Sequence, residues 1–424
     1  MRRVSLVVTI ERMAYGPHGV ARYDGQVLFV RGALPGETVR VTLREDHRTY
    51  AYADVEEVLS PSPARRVPPC PYLPRCGGCP WQHWEYSAQL AAKVANVRDH
   101  FERIAHLSSP PLEPPIPAPA EFGYRHRLSL RVANRELGFY AAASHDLVPV
   151  EHCLLGNETT NAAFPAARAL VRALRSEIRR VEIAADACSP TVVIAAEVEG
   201  GFVAADDPIV RDWLLAHPIV QGCMLRGKRW RRVWGEPRIT VAPEPDLLLR
   251  LHAGVFSQVH PAANQILVAT VVAFSDLRGP EHVVDAYAGA GNFTFALARR
   301  STAVTAIEVD ATAAADLADN VERLGASNVR VWTTPTERGL ADLARQAAKV
   351  DTLVLDPPRS GAREAVASIR QLRPKRIVYV SCNSATLARD VALLSPLYRL
   401  ERVRVIDLFP QTYHVETVAL LLLT

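Results

Sequence analysis

Cys382 has the clearest chemical setting of the seven cysteines in this chain. Ile377-Val378-Tyr379-Val380 reads as a buried strand, and Ser381-Cys382-Asn383-Ser384 then opens a helical pattern. The thiol is therefore expected on a strand-to-helix turn, where a helix N-terminus lowers its pKa and the side chain faces a crevice. Most free cysteines are small buried hydrophobes, and Cys382 taken alone would be read that way. Glu416 is the second residue out of place. It interrupts a strand that otherwise becomes fully apolar, and a carboxylate at a buried strand entrance usually has a partner or a job.

A second group of thiols has the spacing of a ligand set. Five residues separate Cys70 from Cys76 and two separate Cys76 from Cys79, with Gly77-Gly78 letting the backbone wrap closely. Cys153 is the candidate fourth ligand. Four thiolates suit zinc or an iron–sulfur cluster, and spacing alone does not choose between them. Cys188 and Cys223 have no motif around them.

These residues need elements to hold them. The strand Glu281–Tyr287 turns through Ala288-Gly289-Ala290-Gly291-Asn292-Phe293-Thr294 into a helix, where two glycines let backbone approach a ligand. Thr294 stands where a dinucleotide fingerprint has its third glycine. The next strand ends at Glu308, placed to take both hydroxyls of a ribose, and a later one ends at Asp356-Pro357-Pro358. Gly289, Glu308, Asp356 and Cys382 thus fall on one rim of one parallel sheet. The third strand, Asn328–Trp332, is followed by Thr333-Thr334-Pro335 and offers no acid there. Gln258 lies near a helix start with Pro261 in its first turn. Both nicotinamide and S-adenosylmethionine proteins use such a rim.

Upstream, short strands at Val4–Ile10, Gln26–Val30, Thr38–Leu43 and Ala53–Val58 with glycine-rich turns predict a small oligonucleotide-binding barrel. Tyr86 to His106 reads as a helix, and Pro110–Pro119 as a link. The strand Phe122–Arg131 places Arg125, Arg127 and Arg131 on one face, with Tyr124 beside them, as candidates for phosphate contact. Residues 157–250 offer no informative polar cluster.

The composition is that of a globular protein: 49% apolar, 22% charged and a formal net charge of +4, which permits a nucleic-acid partner without demanding one. No apolar run is long enough to span a membrane. The N-terminal apolar stretch meets Glu11 too soon for a secretory signal, so a cytoplasmic protein is expected. An odd number of cysteines without a signal argues against a disulfide framework.

Residues 10–37 resemble a TRAM domain, an RNA-binding barrel. Cys76-Gly77-Gly78-Cys79-Pro80-Trp81-Gln82, the segments Tyr124-Arg125 and Val150–Cys153, Asp356-Pro357-Pro358-Arg359, Ser381-Cys382-Asn383 and Pro410-Gln411-Thr412-x-His414-x-Glu416 together resemble the RNA (uracil-5)-methyltransferases, nearest the 23S ribosomal RNA enzymes. The resemblance spans essentially the whole chain. It implies a multidomain protein: a TRAM barrel over 1–60, a central α+β domain over 66–85 and 119–251, a helix and linker over 86–118 packing on the catalytic domain, and a Rossmann-like methyltransferase with a seven-stranded sheet over 252–424. It makes Cys382 the nucleophile and Glu416 the base. S-adenosylmethionine is expected at Gln258, Tyr287, Gly289, Gly291, Asn292, Glu308 and Asp356, and a [4Fe–4S] cluster, or zinc, at Cys70, Cys76, Cys79 and Cys153. RNA is expected at Arg125, Arg127, Phe256 and Arg359. A monomer acting on 23S ribosomal RNA is the expectation. The alternatives are a transfer-RNA substrate, RNA cytosine-5 methylation, or an inactive cluster-bearing RNA-binding protein.

Overall fold

The computed structural model describes residues 5–424; Val4, the expected start of the first strand, lies outside them. The first sheet comprises β1 (Ser5–Thr9), β2 (Arg12–Met13), β3 (His18–Tyr23), β4 (Gln26–Arg31), β5 (Thr38–Asp46) and β6 (Tyr50–Ser60), in the order β1-β5-β6-β4-β3-β2. Val8, Ile10, Leu28, Val30 and Val41 form its core. Sequence reading left out β2 and β3 because Gly16, Gly19 and polar neighbours break the alternation there. Gly19 serves packing: a Cβ would stand 2.8 Å from Ile10 Cγ2.

The central sheet contains β7 (Arg127–Ala133), β8 (Glu136–Tyr140), β9 (Leu147–Pro149), β10 (Glu177–Ala185), β11 (Val192–Glu199), β12 (Val220–Gly227) and β13 (Trp230–Gly235). Its order is β13-β12-β11-β10-β7-β8-β9. One face buries Leu130, Val181, Ile194 and Leu225 against the helices Phe164–Ala173 and Asp206–Ala216. The opposite face presents Ala184, Ala195 and Met224, which pack on Ala253, Ala290 and Ala313 of the C-terminal part. Alternate residues of the same strands therefore serve two different cores.

After the hairpin β14 (Arg238–Glu244) and β15 (Leu247–His252), the helix Pro261–Ser275 leads into the third sheet. It holds β16 (Gly279–Ala286), β17 (Ser301–Glu308), β18 (Val329–Thr333), β19 (Thr352–Leu355), β20 (Arg376–Ser381), β21 (Tyr398–Ile406) and β22 (Glu416–Leu423). The order is β18-β17-β16-β19-β20-β22-β21, parallel except for β22, which runs antiparallel to both neighbours. The expected seven-stranded sheet is present. Strand order reverses at β16, which opens a crevice at the carboxyl ends.

The segment between the first two sheets belongs physically to the third. The helix Tyr86–Arg103 buries Val97 and Phe101 among Val403, Val405 and Leu387. The proline link then lies along β21, with Glu113 N–H donating to Val403 O and Ile116 N–H to Val405 O, each at 2.8 Å. Prolines cannot donate to a ladder, so an edge is where such a segment fits.

One ion pair fastens this helix. Lys93 Nζ lies 2.7 Å from Asp407 Oδ1, both side chains wholly buried, and also donates to Phe409 O at 3.0 Å. Removing one partner strands a charge without water. Lys93→Met should therefore lower unfolding free energy by about 3–5 kcal/mol, whereas Lys93→Met with Asp407→Leu should recover a large part. Urea denaturation reads both variants, and equal loss in single and double would contradict the assignment.

Candidate active site

The crevice is built from backbone first. Tyr287, Gly289 and Gly291 all adopt positive φ, at 62°, 56° and 102°. At Gly291 a Cβ would meet Phe295 at 2.5 Å and Leu317 at 2.7 Å, so only glycine lets the turn sit on the following helix. Around Gly289 no atom lies within 4 Å of that position, which leaves room for a ligand. Glu308 is held from three sides: Gly289 N–H donates to Oε2 at 2.8 Å, and Val309 and Asp310 N–H to Oε1 at 2.8 and 2.7 Å. The carboxylate is fixed and still has lone pairs for hydroxyls.

Other sequence-chosen residues divide between crevice and scaffold. Asn292 exchanges two amide hydrogen bonds with Asn264, at 2.8 and 3.0 Å, and thereby ties the glycine turn to the helix Pro261–Ser275. Tyr287 donates to Glu337 Oε1 at 2.9 Å. Glu337 brings a carboxylate to the edge after β18 that sequence reading found without an acid. It sits one helical step beyond Pro335, where pattern alone gave no reason to look. Gln258 is buried with no side-chain hydrogen bond among the described residues, and Phe256 is 71% exposed beside it in sequence.

Cys382 and Glu416 are positioned by register. β20 and β22 pair antiparallel with Ser381 opposite Thr417, so the next positions outward, Cys382 and Glu416, face each other across the strand ends. The turn is rigid: Ser381 Oγ accepts from Asn383 N–H and donates to Asn383 O, and the Asn383 side chain caps the helix Ser384–Leu394 at Ala385 N–H. Asn383 Nδ2 and Thr386 Oγ1 both donate to Arg359 O, at 3.1 and 3.2 Å, which locks the Asp356-Pro-Pro-Arg loop onto this turn.

Charge at this edge is crowded. Glu416 is 2% exposed, its Oε1 has no hydrogen-bond partner, and burial followed by the Asp356 charge pushes its pKa well above the usual carboxylate value. Burial, then Asp285, pushes Asp356 up to about 7. The helix N-terminus does not win at Cys382: burial first and Glu416 second push the thiol up to about 11, against the pull of the Arg359 guanidinium. The expected lowering is thus reversed, because desolvation and a facing carboxylate outweigh one short helix end. Burial first, and then the Arg359 guanidinium 3.3 Å away, hold the His414 imidazole down at about 4.

Tyr15, in the loop between β2 and β3, went unnoticed in the sequence. Its hydroxyl donates to the carbonyl of Cys382 at 2.9 Å, and its ring stands edge-on to His100 and Tyr413. Nothing local marks such a contact, which spans 367 positions of chain.

The cysteines chosen by spacing do come together. Cys70, Cys76, Cys79 and Cys153 line one cavity of about 230 Å³ with Gln82 and Arg125. Gln82 accepts from Cys70 N–H, and Asn161 brackets the Cys153 peptide. Burial raises the Cys76, Cys79 and Cys153 thiols, and the Arg125 guanidinium counters it at Cys79 and Cys153. Among the described residues no three such side chains are drawn to a single ligating point. Cys188 is exposed and Cys223 lies in the central core. Arg125 and Arg127 are not phosphate ligands on an open strand face, as the alternation predicted. Arg125 turns to the cysteine cavity. Arg127 is buried, paired with Glu182 at 3.3 Å and donating to Val255 O at 2.5 Å. β7 begins only at Arg127, and this end of it packs beneath the 253–256 segment.

Residues 240–423 match the family model described as tRNA (Uracil-5-)-methyltransferase, and residues 2–55 match the TRAM domain. The chain is 33% identical to a 23S rRNA (uracil(1939)-C(5))-methyltransferase of Pectobacterium atrosepticum, covering 99% of this chain and 94% of the relative. It is 35% identical to the enzyme of that description from Acidithiobacillus ferrooxidans, covering 97% and 96%. Among solved structures, the Pyrococcus abyssi tRNA (uracil-54, C5)-methyltransferase in complex with S-adenosyl-L-homocysteine superposes with a TM-score of 0.73 at 23% identity, covering 98% of this chain and 100% of that one. That likeness is one of fold.

The electrostatics give a measurable consequence. In RNA-free protein, iodoacetamide should alkylate Cys382 with a midpoint near pH 11, followed by mass spectrometry of its peptide. Arg359→Ala removes the cation that favours thiolate, so the midpoint should rise further and alkylation at pH 9 slow several-fold. A parental midpoint at the ordinary thiol value of about 8.5 would contradict the burial argument.

Proposed function

The chain belongs to the S-adenosylmethionine-dependent RNA (uracil-5)-methyltransferase family, and we propose that it methylates C5 of a uridine in 23S ribosomal RNA through a covalent adduct of Cys382. The observation that carries this reading is the register that sets Cys382 opposite Glu416 beside the Asp356–Arg359 loop. The ribosomal substrate is supported by full-length relatives that carry that description.

C5 of uracil is too weak a nucleophile to take a methyl group unaided. The Cys382 thiol gives up its proton to solvent as the base is seated, and the sulfur forms a bond to C6. The π electrons of C5=C6 move toward O4, which leaves C5 electron-rich. Glu308 and the Gly289–Gly291 turn would hold S-adenosylmethionine, whose sulfonium would give its methyl to C5 and leave as the neutral thioether S-adenosylhomocysteine. C5 then carries both methyl and hydrogen. Glu416 takes that proton, the C5=C6 bond re-forms and sulfur leaves. A carboxylate raised by burial is a stronger base than a solvated one, which is what this step asks of it. Arg359, beside the pair, opposes the rise at both the thiol and the carboxyl. The target base must be unstacked to reach this pair, and Phe256, exposed at its side chain, would be the residue for it to stack on.

The same reading includes a [4Fe–4S] cluster, with zinc as the alternative, held by Cys70, Cys76, Cys79 and Cys153. The donors fit: four thiols border one cavity, and Arg125, with Nε unpartnered, stands where thiolate charge needs an offset. A metal group there would fasten the 70–79 loop to the 153–156 turn. Anaerobically purified protein should carry iron and sulfide; Cys153→Ser should lose them and Cys188→Ser should not. About one zinc per chain with no iron would remove the cluster and leave the methyl-transfer reading.

The roles differ in timing. Cys382→Ala should form no covalent complex with RNA. Glu416→Gln should add, methylate and then stall, because an amide cannot take the C5 proton, and should accumulate a methylated protein–RNA adduct stable to denaturing electrophoresis. Near-parental turnover by Glu416→Gln, or adduct formation by Cys382→Ala, would defeat the assignment. In vitro transcripts of 23S ribosomal and transfer RNA, compared side by side, test the substrate.

A further inference from the structure

Five strands of the central sheet place one row of charge across its crevice-side face. Arg131 of β7 lies opposite Arg180 of β10, Arg180 opposite Glu197 of β11, Glu197 beside Arg226 of β12, and Arg226 opposite Arg231 of β13. Strands stand about 4.8 Å apart, so the row runs roughly 20 Å. Glu197 takes an ion pair from Arg180 at 3.4 Å and from Arg226 at 2.5 Å. Two like-charged pairs remain directly opposed, Arg131 with Arg180 and Arg226 with Arg231. Such pairs destabilise a sheet, and the partners they have, Glu197 shared by Arg180 and Arg226 and the Tyr140 ring under Arg131, leave the row with a surplus of positive charge.

The row continues into the β12–β13 turn, where Lys228 and Arg229 are exposed. Lys228, Arg229 and Arg231 make no ion pair or side-chain hydrogen bond among the described residues. They line a cavity of about 380 Å³ with Arg226, Gly254 and Asp310. Asp310 follows Glu308 at the ribose clamp by two residues, and Gly254 precedes exposed Phe256 by two. A Cβ at Gly254 would stand 2.9 Å from Arg226 Nη1, so the cationic row abuts the rim of the crevice.

We propose that this row and turn form a track for the phosphate backbone of the RNA next to the target uridine. The inference rests on the methyltransferase reading and adds where the substrate is gripped. Guanidinium groups in line, sharing a single carboxylate at Glu197 and leading to the unpaired Lys228, Arg229 and Arg231 at the crevice rim, match a polyanion running past the site. Arg125 and Arg127, which sequence pointed to, are spent inside the fold, and the track replaces them with cations that no motif marks.

The test uses the full chain and the 23S transcript. Lys228→Ala/Arg229→Ala/Arg231→Ala alters only exposed side chains and should weaken RNA binding at least tenfold. It should flatten the dependence of log affinity on log salt by about 2, given roughly 0.7 for each phosphate no longer neutralised. The loss should fall on KM rather than kcat, with S-adenosylmethionine affinity unchanged; Arg229→Glu alone should shift KM in the same direction. Parental affinity and slope in the triple variant would overturn the track, as would a fall in kcat at unchanged affinity. If the parent methylated transfer RNA instead, the substrate reading would fail, and the same flattening of slope measured on transfer RNA would still uphold the track.

Discussion

Between β21 and β22 the chain must turn through the protein interior, and Asp407 and Gln411 make that turn possible. Neither is exposed, and Gln411 adopts a left-handed φ of 69°. Its side-chain oxygen accepts from Gln89 and Arg66, at 3.0 and 2.8 Å, and its amide donates to Glu121. Its backbone accepts from Trp81 and donates to Gln89. Groups from four separate stretches of chain converge on one residue. A buried polar network of this kind adds little net stability, since each group gave up water to enter it. It is costly to break, and so it admits one arrangement. That arrangement sets where β22 begins, and hence how deep Glu416 lies opposite Cys382.

The network also explains why the three sheets act on one site. The helix Tyr86–Arg103 is fastened to the turn by Lys93 and Gln89, and it carries His100, which meets Ser384 at 2.8 Å and the Tyr15 ring. The first sheet reaches the Cys382 carbonyl through Tyr15, while the central sheet reaches the crevice rim through Arg127 and Val255. Displacing either sheet would disturb the catalytic turn before it disturbed a core. The methyltransferase sheet is thus braced from outside at the loop where the chemistry is placed.

How far the sequence could be read follows from the range of the interactions involved. Local chemistry was legible: the Ser381–Asn383 turn, the positive-φ glycines, the strand ending at Glu308 and the thiols at 70, 76 and 79 each depend on neighbours a few residues away. The Thr333–Pro335 edge was read as lacking an acid because Glu337 becomes relevant only through Tyr287, fifty positions distant. Arg127 was read as a phosphate contact on an open strand face because alternation tells which residues share a face and not what covers it. The cations at 226–231 looked uninformative for the same reason: their alignment with Arg131 and Arg180 exists only in the register of five strands. Long-range register, more than composition or local pattern, is what sequence withheld.

The same register poses the question of how a thiol raised to about 11 can act near neutral pH. Cys382, Glu416 and Asp356 share one dry edge with a single cation, and three negative charges cannot coexist there. The resting site therefore keeps its protons. A standing thiolate would be open to oxidation and would be repelled by a neighbouring carboxylate. Protonated, the two groups lie side by side without that penalty; in the proposed mechanism Glu416 must first shed that proton, and only as the carboxylate can its unpartnered oxygen take the proton from C5. What shifts the balance must arrive with the RNA, since a uracil whose O4 gathers charge gives Arg359 a second anion to serve. Activation is then tied to a correctly seated base, and the elevated pKa becomes a condition on reactivity that free solvent nucleophiles and off-target bases do not meet.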